Sequence, residues 1–308
     1  MKIPCRYIGW VLFSVVVVLF PATEAGAEGF PLKHVLSIYA DNVGNGFRHP
    51  EGVSCSRWPE IVVADSGNGR LLVVTMEGEG IGKEEEIRLP QVGYPIRVQV
   101  DSKGQIFVLD GKNRRIARID GERKFAGYFE GDGAGVPQNP VPRSFKIDKS
   151  NNLYIIDVFS GKLFAFDPAG KLAADLVFPE DAVFISDVTV DGSGTLFLLD
   201  SVRSVVYSAV KGEKTFRPVA AFLDGTKDKM RFPTSIEAGP SGLLFITDQN
   251  GGTVLIFDRD GELKDRKSDF GWKEGQLNYP SQICLSEKGY LAIADRENNR
   301  IQLFSILR

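Results

Sequence analysis

The chain has 308 residues, 43% hydrophobic and 25% charged, which is enough apolar material for a sizeable globular core. Its formal net charge of −3 at pH 7 argues against a nucleic-acid surface, which would show a basic excess. With 2 histidines in all, a His-rich zinc site is excluded by count.

The first element is a targeting segment. Lys2 and Arg6 give a basic start, and "WVLFSVVVVLF" (10–20) is an apolar stretch of signal-peptide length. It is shorter than the roughly 20 residues of a spanning helix. The small-residue pattern Ala25-Gly26-Ala27 follows. Cleavage is expected after Ala27. Residues 1–27 are thus a signal peptide and 28–308 a single exported domain, periplasmic or extracellular, with no membrane span once the signal is removed. Cys5 leaves with the signal, so Cys55 and Cys284 remain.

The next element, "KHVLSIYAD" (33–41), has strand character. After it the chain repeats. Apolar runs end on Asp65, Asp110, Asp157, Asp200, Asp248 and Asp295, at spacings of 45, 47, 43, 48 and 47 residues. Pro50, Pro95, Pro142, Pro233 and Pro280 each stand 15 residues before their aspartate, and only Ile185 departs. Within a unit, a short segment follows the proline, then a polar turn, the run ending in Asp, a second turn, another apolar strand and a weaker fourth strand. β-Branched and aromatic residues fill the runs, and Gly, Asn, Asp and Ser separate them. Four antiparallel strands per repeat of this length predict a propeller blade, and six repeats predict six blades in an all-β ring. The sixth repeat ends after its third strand. The 33–41 segment is expected to supply the fourth and close the ring, removing two sheet edges.

The P-x-x-V-x-V start, the "ADSGN-R" and "ADRENNR" ends and the connector "FGWKEGQLNYP" (270–280) resemble the NHL-repeat family of six-bladed β-propellers. The resemblance runs from about residue 34 to 308. It is best in the first and last units and worn in the third and fourth, where "DVFSGK" and "DSVRSV" depart from the pattern. It implies the fold, whereas function on such rings varies with the site.

Six equivalent aspartates cannot all serve one active site. They are read as turn residues whose carboxylates accept backbone N–H groups of the following turn. The basic residues five places on, Arg70, Arg115, Lys162 and Arg300, are expected to pair with neighbouring carboxylates. The proline loops and the Asp turns share one end of the ring. Before the proline position come His49, Tyr94, Val141, Phe184, Phe232 and Tyr279, and two places after it Gly52, Arg97, Ser144, Asp187, Ser235 and Gln282. These residues either wedge the blades and hold channel water, or form a shallow binding surface. On the second reading Arg97, Arg143, Asp187, Tyr94, Tyr279 and Gln282 are its contacts, with Lys112, Arg114, Phe159, Gln249 and Arg296 on the outer turns.

The function expected is a non-enzymatic scaffold that binds another exported protein or a small ligand, without nucleic acid and without a cofactor. The alternative is a calcium-dependent hydrolase or lactonase. Propellers similar to gluconolactonase and regucalcin imply calcium at the central channel, and here the nearest candidates are Glu51 and Asp187, with Gln282 beside them. Cys55 and Cys284 fall on the inner strands of repeats one and six, neighbours once the ring closes. They are either bonded across the seam or two buried free thiols.

Overall fold

The computed structural model describes residues 32–223 and 230–306, so the expected signal peptide lies outside the described residues. Six four-stranded antiparallel sheets form a ring, each running from an inner to an outer strand. Their inner strands are Gly52–Ser54, Pro95–Val100, Pro142–Ile147, Ile185–Val190, Pro233–Ala238 and Pro280–Leu285, one for each blade from one to six. Among the described residues no helix is long and apolar enough to cross a membrane.

The second strands explain why the repeat reads as unbroken apolar runs. Ile106–Asp110, Leu196–Asp200 and Leu244–Asp248 are buried at every position, because both faces of a blade pack on neighbours. Outer strands such as Gly80–Ile87 are mostly polar and half-exposed. Blade four has the weakest outer strand, Arg217–Pro218, where Pro218 lacks the N–H needed to extend the ladder.

Ring closure follows the sequence expectation. Leu32–Ile38 pairs antiparallel with Arg300–Ile306, from Leu32↔Ile306 to Ile38↔Ile301, and is the outer strand of blade six. Ile38 is buried in a seam core with Val53, Cys55, Ile61, Ile301 and Cys284. Burying one such aliphatic side chain contributes about 1.5–3 kcal/mol. The two cysteines therefore face each other across the seam. Both are free thiols here, and the Cys55 N–H donates to Cys284 Sγ at 2.7 Å.

The marker aspartates are buried, and all but Asp248 bond both the preceding loop and their own turn. Asp110 accepts Lys112 N of its own turn at 2.7 Å and Gly93 N of the preceding loop at 2.8 Å. Asp65, Asp157, Asp200, Asp248 and Asp295 likewise accept backbone N–H groups from the loop before the proline position. In blades one and six the basic residue five places on bonds the marker itself: Arg70 Nε to Asp65 and Arg300 Nε to Asp295, both at 2.7 Å. Arg115 and Lys162 instead pair outward with Glu130 and Asp175. The turn after the marker in these two blades is a single 3₁₀ turn ending in left-handed backbone, at Gly69 (φ 60°) and Asn299 (φ 53°). Gly and Asn tolerate that conformation, which accounts for "SGNG" and "RENN".

Candidate functional site

The inner strands carry an irregularity that sets the site. In blades two to six the register shifts between the proline position and the residues after it, a β-bulge. A regular strand would send the first residue after the proline away from the axis and the second toward the mouth. With the bulge, the first residue points to the mouth. Glu51, Ile96, Arg143, Ser186, Thr234 and Ser281, one from each blade, line a cavity of 370 Å³ there. Phe184, Phe232, Ser201, Gln249 and Arg296 complete its wall.

The residues two places after the proline are not the mouth ring that the spacing suggests. They lie beneath it as a plug. Ser144, Asp187, Ser235 and Gln282 are all buried. Arg97 of blade two crosses the channel to blade five, donating to Ser235 Oγ at 3.2 Å and the Thr234 carbonyl at 3.0 Å. Asp187 accepts Ser144 Oγ, Ser235 Oγ and Ile236 N at 2.6, 2.7 and 3.0 Å, and lies 3.6 Å from Arg97. Gln282 accepts Val53 N and donates to the Val98 carbonyl, tying blade six to blades one and two. Gly52 is required in this tier, since a Cβ there would lie 2.9 Å from Ala64 Cβ and 3.3 Å from Arg97 Cα. Deeper still, Lys146 Nζ bonds both carboxylate oxygens of Glu237 at 2.6 Å. Burial works to lower the Lys146 ammonium, but Glu237 beside it holds it above the ordinary lysine value. The mouth is thus a closed-floored pocket.

Of the expected contacts, Arg97 and Arg143 line the cavity. Tyr94 stands behind it, its hydroxyl donating to Glu51 at 3.0 Å, and Arg296 Nε donates to the same carboxylate at 3.3 Å. Burial raises the Tyr94 phenol, and the Glu51 charge raises it further. Tyr279 sits at the rim, edge-on to Phe270 at 6.4 Å, on left-handed backbone (φ 52°). Asp187 and Gln282 are buried plug residues and are not on the lining of the mouth. Phe159, Lys112 and Arg114 are exposed on the outer turns, while Gln249 and Arg296 reach into the mouth.

The donor set does not suit a calcium ion. Asp187 is taken up by two hydroxyl donors and a backbone N–H, with the Arg97 charge 3.6 Å away, and Glu51 by Tyr94 and Arg296. Arg97 lies across the channel between blades. Among the described residues no three acidic, His or Cys side chains cluster as metal ligands.

The bulge had a sequence signal. Arg143-Ser144, Ser186-Asp187, Thr234-Ser235 and Ser281-Gln282 are consecutive polar pairs near the start of their strands, and a pair of this kind breaks the period of two.

No protein-family model matches the chain, and no curated protein does. Solved structures do. A streptogramin B lyase superposes with a TM-score of 0.64 at 12% identity, covering 91% of this chain and 99% of that one. A gluconolactonase from Xanthomonas campestris gives 0.64 at 13%, covering 91% and 98%. An auxiliary nutrient binding protein from Bacteroides thetaiotaomicron gives 0.65 at 14%, covering 89% and 76%. The likeness is one of fold. Two of these proteins are named as enzymes and one as a binding protein, on the same ring.

Proposed function

We propose that this chain is an exported, NHL-type binding module that works through the proline-side end of the ring. One observation carries the reading. Among the described residues, the exposed large hydrophobics gather at that end, including Val43, Phe159, Val183, Val202, Trp272 and Tyr279. Only Ile81 and Val210 stand exposed at the other. Apolar side chains around a polar, closed-floored mouth are the make-up of a recognition surface. The nutrient-binding neighbour supports binding as a use of this ring. Export, to the periplasm or outside the cell, rests on the Lys2–Ala27 segment of the sequence.

The test is capture from an exported-protein extract with immobilised protein. Phe159→Glu and Trp272→Glu should abolish a captured species that Lys288→Glu, at the opposite end, leaves in place. Equal retention by all three variants removes the reading. A calcium-dependent hydrolase or lactonase is the second reading, prompted by the gluconolactonase neighbour. It predicts stoichiometric calcium in purified protein, lost on Asp187→Asn. The pairing of Glu51 and Asp187 with the protein's own donors favours the binding reading.

A further inference from the structure

Most charges at the mouth are balanced within the protein. Arg97 lies against Asp187, and Arg296 bonds Glu51 and Glu297. Arg143 is the exception. It stands at the bulge of blade three with its guanidinium carbon 4.0 Å above the Phe184 ring. Among the described residues no carboxylate or carbonyl takes up its N–H groups. Burial pushes this guanidinium down from the ordinary arginine value, and the charge of Arg114 on the neighbouring turn pushes it further. A half-buried guanidinium on the lining of the mouth presents five N–H donors to whatever acceptor enters it. Phe184 and Phe232, centroids 6.3 Å apart, form an aromatic wall beside it, with Ile96 on the same lining.

We infer that the mouth binds a small organic carboxylate, its anionic group on Arg143 and a flat or apolar body against Phe184 and Phe232. The inference rests on the reading that the proline-side end is the working surface, and it names the ligand class for it. The volume of 370 Å³ sits at the small end of ligand sites, about 300–1,000 Å³, and suits a metabolite-sized molecule. Arginine matches a carboxylate with two parallel N–H···O bonds. Stacking on Phe184 holds the guanidinium plane before the ligand arrives, so less freedom is lost on binding.

The experiment titrates isotopically labelled full-length protein with 3-phenylpropionate and with its neutral amide, following backbone amide shifts. The carboxylate should bind at least ten-fold more tightly than the amide, with shifts at the mouth. Arg143→Gln should erase that preference, while Arg114→Gln should reduce it two- to three-fold. Phe184→Ala should weaken both probes alike. A preference that survives Arg143→Gln, equal binding of the two probes, or no binding by either overturns the inference. Equal binding at the mouth overturns only the anion and leaves the working surface in place. Shifts confined to the turns around Lys288 overturn the surface as well.

Discussion

Replacing Lys146 by Met would leave Glu237 buried in the channel without its counter-charge. Both side chains are about nine-tenths inaccessible, and the ammonium contacts both carboxylate oxygens at 2.6 Å. Breaking such a pair from one side costs about 3–5 kcal/mol, because the remaining charge stays desolvated. At about 2–4 °C per kcal/mol for a domain of this size, the thermal midpoint should fall by on the order of 10 °C. Glu237→Leu alone should cost a similar amount by stranding Lys146. The double variant Lys146→Met, Glu237→Leu should recover most of the loss, since an apolar pair of similar volume is often neutral or stabilising. Chemical denaturation of the four proteins gives the coupling energy directly. Two single variants that each cost less than about 1 kcal/mol, in the range of exposed pairs, would refute the reasoning. The channel below the mouth would then be wet, and the plug no floor.

Arg70 bonds Asp65, Asp41 and Glu86 at 2.7, 2.6 and 2.7 Å. Burial would raise Asp41, but Arg70 and Asn45 override it and hold the carboxyl well below the usual range, while the Arg70 hydrogen bond lowers Glu86. Carboxylates depressed on folding contribute stability that is full above their unfolded values, about 4, and is lost as pH falls. The stability advantage of the native chain over Arg70→Gln should therefore be constant above about pH 5 and shrink below about pH 4. Urea midpoints that keep one difference down to pH 2.5 would contradict this. Ile38→Ala in the closing strand should cost about 2–5 kcal/mol by denaturation, and deletion of residues 32–41 more, whereas an unchanged melting curve would deny the closure. Oxidised protein should carry a Cys55–Cys284 bond, read as two fewer alkylated thiols by intact mass before reduction than after it. Two alkylated cysteines in unreduced protein would exclude the latch.

The fold was legible because a propeller repeats its punctuation. The buried aspartates anchor the loop before the proline position in every blade, so their spacing survives where side chains have drifted. The closing strand was legible for a related reason, since the sixth unit ran out one strand short. The site was harder to read. Counting by twos from the proline placed Asp187 and Gln282 at the mouth, and the bulge puts them one layer down. Arg143 reaches the cavity through that extra residue. The partners of Arg97 lie on blade five, some 137 residues away, and no local pattern encodes that distance. The difference between Arg70, which bonds its own marker, and Arg115, which pairs outward, likewise depends on acids brought in from elsewhere, Asp41 and Glu86 against Glu130.

Hydroxyl-radical footprinting of the protein in an exported-protein extract, compared with the purified protein, tests the working surface most directly. Protection should appear at Phe159, Phe270, Trp272 and Tyr279 on the proline side, with Ile81 and its neighbours at the opposite end unchanged. Protection centred on Ile81, or none at the proline-side residues, would contradict the account.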